Sequence, residues 1–114
     1  MTPGMSPPGF VAQIEVLLRQ ERRTEARAVA EEGLEVIRSL GGTGSTELRL
    51  RLAAAEARHA DGDLDGAREA IGDAVKELHA RAEKIPDSEA RAHFVGQVSS
   101  HARIQELAQR WQVG

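Results

Sequence analysis

Cysteine is absent, which excludes disulfides, a thiolate nucleophile and a cysteine-held zinc. A cytoplasmic location follows as the expectation, since a reducing compartment asks nothing of such a chain. Tyrosine is absent too, and one tryptophan with two phenylalanines makes aromatics only 3%. The core must therefore come from aliphatic and small side chains, which suit close-packed helices. No apolar run approaches the ~18 residues that a membrane span requires. The first residues lack the basic start and apolar middle of a signal peptide. Positive charge is not in excess either: 15 Lys and Arg stand against 18 Asp and Glu, giving a formal charge of −3. That balance argues against nucleic acid as a partner. No segment alternates with the period of two that marks a strand.

What remains is a 114-residue chain with 40% hydrophobic and 29% charged residues, enough for one modest domain. The Pro- and Gly-rich opening is expected to be a flexible leader over residues 1–9, in which Met5 offers a second start. Residues 10–112 are expected to form a single all-α domain. Val11, Ile14, Leu17 and Leu18 give a helix from Phe10 to Gln20. Thr24 is expected to cap a second helix with the stripe Ala26, Val29, Ala30, Gly33, Leu34 and Ile37, ending at Leu40 before Gly41, Gly42 and Gly44. Ser45 or Thr46 opens a third, running to about His59 and carrying Leu48, Leu52 and an alanine patch from Ala53 to Ala57. Asp65 is expected to cap a fourth, with Ala67, Ala70, Ile71, Ala74, Val75, Leu78 and Ala82 in its stripe, closed by Pro86. A fifth follows from Asp87 or Ser88 with Ala90, Phe94 and Val98. A sixth starts at Ser99 or Ser100 with Ile104, Leu107, Ala108 and Trp111.

The turn between the third and fourth helices is the most acidic point of the chain. Asp61, Asp63, Asp65 and Gly66 match the first half of a calcium-binding loop, D-x-D-x-D-G. Position 12 of such a loop must supply a bidentate Glu, yet here it is Gly72, and position 8 is Arg68. The alternative gives each residue a structural task, with Gly62 ending one helix, Leu64 packing in the turn and Asp65 capping the next. That alternative is preferred, and no metal site is expected.

The second and fourth helices echo one another. Ala26, Ala30, Gly33 and Leu34 align with Ala67, Ile71, Ala74 and Val75, each pair 41 residues apart, and Gln20–Ala26 aligns with Asp61–Ala67. Gly62, Leu64, Ala67, Ile71 and Ala74 resemble the turn and second helix of a tetratricopeptide repeat. The first copy departs from that pattern at Glu21 and Arg23, where glycine and an aromatic are usual. The tail is similar to the closing helices of tetratricopeptide regions at the C-termini of large bacterial serine/threonine kinases and ATPase-type regulators, through Ile85, Pro86, Asp87, Arg91, Phe94, Val98, Arg103, Glu106, Leu107 and Ala108. It departs at Ser99, Ser100 and His101. The resemblance implies repeats over residues 10–40 and 45–84, capping helices over 87–112, and a right-handed superhelical stack. It implies a concave groove lined by Glu15, Leu18, Arg19, Arg49, Leu52, Glu56 and His59, holding a peptide or helix of a protein partner.

Other candidate sites are weaker. His59, His79, His93 and His101 stand at no metal-binding spacing, and packing or surface roles are expected of them. Ser99, Ser100 and His101 lack a nucleophile elbow, and G-G-T-G has no preceding strand or following lysine, so it is a linker. The arginines at 19, 22, 23 and 27 are interleaved with glutamates at 21, 25, 31 and 32, which makes a solvated face rather than a phosphate-binding patch. The chain is thus expected to be a non-enzymatic interaction module without cofactor or small-molecule substrate. The second expectation is a homodimer, or a scaffold domain within a larger signalling protein, with Trp111 and the alanine-rich third helix as contacts. Calcium binding ranks last.

Overall fold

The computed structural model describes residues 6–41 and 44–113. Among them are six helices and no strand: α1 (Pro7–Arg19), α2 (Arg23–Leu40), α3 (Ser45–Ala60), α4 (Leu64–Glu83), α5 (Ser88–Gly96) and α6 (Ser99–Arg110). α1 pairs with α2 and α3 with α4; α3 also packs on α1 and α2, while α6 packs on α3 and α4. The molecule is an all-α stack of antiparallel helix pairs. No described helix is long and apolar enough to cross a membrane.

Helix ends correct several expectations. α1 begins at Pro7 rather than Phe10, because Pro7 and Pro8 occupy the first helical positions, where a missing N–H breaks no hydrogen bond. The expected leader is therefore helical over its last three residues, while residues 1–5, and Met5 with them, lie outside the described residues. Thr24 is not the cap of α2. That position falls to Arg22, and the Thr24 hydroxyl instead donates to Asp61 Oδ1 across the stack at 3.1 Å. α3 follows Gly44, so Ser45 is already helical. α4 starts at Leu64, and its cap is Asp63, whose carboxylate accepts from Gly66 N at 2.9 Å; Asp65 lies within the first turn. A Cβ on Gly66 would meet that carboxylate, so a larger residue there would require the Asp63 side chain to shift. Leu64 does not pack in the turn but is 55% exposed, as the first residue of an outward-facing turn. Asp87 caps α5 through Ala90 N at 2.9 Å. α6 is preceded by Val98, not by a capping serine, and Val98 is exposed rather than part of a buried α5 stripe.

The turns that close α1, α3 and α6 share one geometry. In each, the residue after the cap has positive φ: Glu21 (58°), Gly62 (87°) and Gln112 (58°). Its N–H donates back to the carbonyls of Leu18, His59 and Gln109, and the next N–H donates to Leu17, Arg58 and Ala108. This is the paired hydrogen bonding of a Schellman motif, repeated three times. Glu21 thus adopts the conformation that glycine adopts 41 residues later. α6 thus closes with the same turn as α1 and α3, and α5 stands between α4 and α6.

Two apolar clusters hold the stack. The first joins Phe10, Val11, Ile14 and Leu17 of α1, Ala26, Ala30, Leu34 and Ile37 of α2, and Leu50, Ala53, Ala54 and Ala57 of α3. The second joins Leu48, Leu52 and Ala55 of α3 to Ala70, Ile71, Ala74 and Leu78 of α4 and to Ile104 and Leu107 of α6. α3 lies between the clusters, with helices on both sides. This explains its alanines, since small side chains let two layers close on one helix. Ala53, Ala54, Ala55 and Ala57 are consequently buried within the chain and cannot be the contact of a homodimer.

Charged groups tie the pairs together at the edges. Arg27 of α2 reaches Asp61 (3.3 Å) and Asp63 (2.7 Å), and Arg58 of α3 forms a two-pronged pair with Glu31 of α2 at 2.8 Å for each bond. Arg58 holds the Glu31 carboxyl below its ordinary value by hydrogen bonding, against the opposing effect of burial. Buried Glu47 is satisfied by Arg51 (2.9 Å) and Arg81 (3.2 Å), and Arg81 also donates to Gly44 O. A buried carboxylate held by two guanidinium groups is a structural clasp.

Candidate functional site

α3 packs between α1 and α6, whose closing turns match its own, and the three helices form one surface. Glu15, Glu56 and Glu106 occupy the same place on each, six residues before the positive-φ residue of the turn. Between α3 and α6 this surface opens into a cleft of about 360 Å³, lined by Glu56, His59, Ala60, Arg103, Leu107, Arg110 and Trp111.

Each wall follows from local structure. Trp111 is the C-cap of α6, and the Schellman turn after it folds the chain back through Val113 N to Ala108 O (2.8 Å). That fold-back sets the indole against His59, with ring centroids 4.6 Å apart and planes within 3° of parallel. Leu107 forms the apolar floor because its side chain belongs to the second cluster. Arg103 pairs with Glu106 at 2.8 Å and with Glu56 at 3.6 Å, and Arg110 donates to the same Glu106 oxygen at 2.8 Å. Burial drives the Glu56 carboxyl above its ordinary value; Arg103 opposes this and Glu15 adds to it. The cleft thus combines a flat aromatic step, an apolar floor and charges of both signs.

Of the expected groove residues, Glu56 and His59 line this cleft. Glu15 is exposed on α1 and acts on Glu56 electrostatically; Arg19 is exposed one helical turn further on, outside the cleft. Arg49 is exposed near the start of α3, two turns before Glu56, and also lies outside it. Leu18 is half-buried against the first cluster. Leu52 offers no anchor to a partner: it is only 8% exposed, because the same helical face meets α4 and α6. Trp111, expected as a dimer contact, stands in the cleft. Arg103, Leu107 and Arg110 were missing from the expected set. The recurrence of Glu15, Glu56 and Glu106 before three equivalent turns is the signal that points to α6 as the third wall.

The remaining candidates have structural roles or none. Asp61 and Asp63 are engaged by Thr24 and Arg27, Asp65 is exposed, and the residues from Leu64 onward are helical where a calcium loop would be irregular. Among the described residues no group of three or more His, Asp or Glu is placed to hold a metal ion. His101 is buried, its Nδ1 lying 2.7 Å from Phe94 O and its ring against Phe94, which fastens α6 to α5; His79 and His93 are exposed on separate helices. Ser99 and Ser100 open α6 beside it.

Comparison with protein-family models, with curated proteins and with solved structures gave no match to the chain. The architecture defines the class, an all-helical, repeat-like stack of antiparallel pairs.

Proposed function

We propose that the chain is a non-enzymatic protein-interaction module of the tetratricopeptide kind, which takes a peptide or helix of a partner protein along the edge formed by α1, α3 and α6. The observation that carries this reading is the cleft itself, where the His59–Trp111 stack stands beside the charged Glu56–Arg103 pair over Leu107. A half-exposed tryptophan with arginines around it is the composition that concentrates binding energy at protein interfaces. The recurring turn at Glu21, Gly62 and Gln112 supports the repeat reading. The proposed setting is a cytoplasmic bacterial signalling protein, either as a terminal repeat region or as a free-standing relative.

Peptides selected from a random library on the wild-type chain test the reading. Their affinity is expected to fall about tenfold or more with His59→Ala or Arg110→Glu, both of which alter accessible cleft side chains, and to be unchanged by Glu32→Ala on α2. Peptides that bind all four proteins equally would overturn it.

A further inference from the structure

We infer that the outer face of α1 is a second docking surface, and that its occupant is a further antiparallel helix pair carried by a partner and stacked on this chain as α1 and α2 stack on α3. The evidence is positional. Leu50, Ala53, Ala54 and Ala57 are the residues through which α3 receives the preceding pair, and all four belong to the first cluster. Counting back the 41 residues that separate the equivalent turns gives Gly9, Ala12, Gln13 and Val16 on α1. These same four residues line an open groove of about 480 Å³ together with Leu17, Gln20 and Arg22. Counting forward by the 50 residues from Gly62 to Gln112 gives Ser100, Arg103, Ile104 and Leu107 on α6. Of these, Ile104 and Leu107 are buried in the second cluster against α3 and α4.

One helix face thus occurs three times. In α3 a helix pair covers it; in α6 Ile104 and Leu107 are covered while Arg103 stands at the cleft; and in α1 no described residue covers it.

Its chemistry fits a covered face better than a wetted one. A terminal helix of a repeat stack needs a polar outer face, and helices facing water carry charge there. Over two turns of α1 this face carries none, and Arg22 at the end of the groove is the only charged residue lining it. Val16 is 40% exposed, although its equivalents Ala57 and Leu107 are buried.

The occupant follows from what covers the equivalent faces. α2 covers α3 with an aliphatic stripe, Ala30, Leu34 and Ile37, and α4 covers α6 with Ala70, Ile71, Ala74 and Leu78. Both stripes are already buried within the chain, so a second copy has no free face of this type to offer. A partner helix with an uncharged aliphatic stripe, followed by a short turn into the stack, meets the requirement.

The test extends the full chain by one unit, with an additional copy of residues 6–44 placed ahead of Ser6. Its second helix then presents the Ala30, Leu34 and Ile37 stripe to the native α1. The expected result is a single unfolding transition with a midpoint raised by about 5 °C or more. Val16→Glu in the native α1 should remove most of that gain, while the same substitution in the unextended chain moves the midpoint little. No gain, or a gain indifferent to Val16→Glu, would overturn the docking face. Sedimentation of the unextended chain over a concentration series tests the occupant. A monomer is expected, and a dimer that Val16→Glu dissociates would assign the face to a second copy and sink the partner helix pair.

Discussion

Glu21 and Gly62 hold equivalent turns, with φ of 58° and 87°, yet only glycine adopts positive φ without steric cost. Glu21→Gly should therefore stabilise the fold, by up to about 1 kcal/mol, and Gly62→Ala should destabilise it by a similar amount. Urea denaturation of the two variants checks both signs. Two glutamates respond to their surroundings in opposite directions. The Glu31 carboxyl is held below the ordinary 4.5 by its bond to Arg58, so its contribution is present above that value and is lost as pH falls through the lower folded value. Glu31→Gln should lower the melting temperature at pH 7 and converge with wild type in acid. Glu56, raised by burial, is disfavoured in its charged form within the fold. Glu56→Gln should accordingly leave the melting temperature at pH 7 unchanged or higher.

At the scale of elements, α3 and α5 are the extremes. α3 is covered on both sides, and Ala54, wholly buried among α1 and α2, has no room for a longer side chain. Ala54→Leu should cost about 1–3 kcal/mol through overpacking, read by chemical denaturation. α5 has nine residues and none buried, and is fastened chiefly by the contacts of Phe94 with His101 and of Arg91 with Ile85 O. Its amides should exchange with solvent faster than those of α3 and α4, and His101→Ala should accelerate them further while leaving α1 and α2 unaffected. Native-state hydrogen exchange distinguishes that local release from global destabilisation.

The molecule as a whole is a stack in which each layer touches its neighbours, with α3 shared by both clusters. Sharing one helix makes the two pairs unfold together, so far-UV circular dichroism and the fluorescence of Trp111 should report the same denaturation midpoint. The sequence by itself determined the six helices, because their stripes recur at helical spacing and glycine, proline and aspartate punctuate them. It also placed the acidic turn between helices, through the missing twelfth ligand and the 41-residue echo. It misplaced the caps at Thr24, Asp65 and Ser99: α2 and α6 follow Arg22 and Val98 with no side-chain cap at all, and at α4 Asp63 and Asp65 flank the start, so that only backbone geometry chooses between them. It gave Leu52 to a partner groove and, in the dimer alternative, the alanines of α3 to a second copy, since periodicity shows that a face is apolar without showing how many neighbours cover it. The tertiary structure decided that α6 packs on α3 and α4, that Trp111 folds back onto His59, and that no described residue covers the outer face of α1. Those are contacts between residues far apart in the chain, set by the stacking of layers, and no local pattern encodes them.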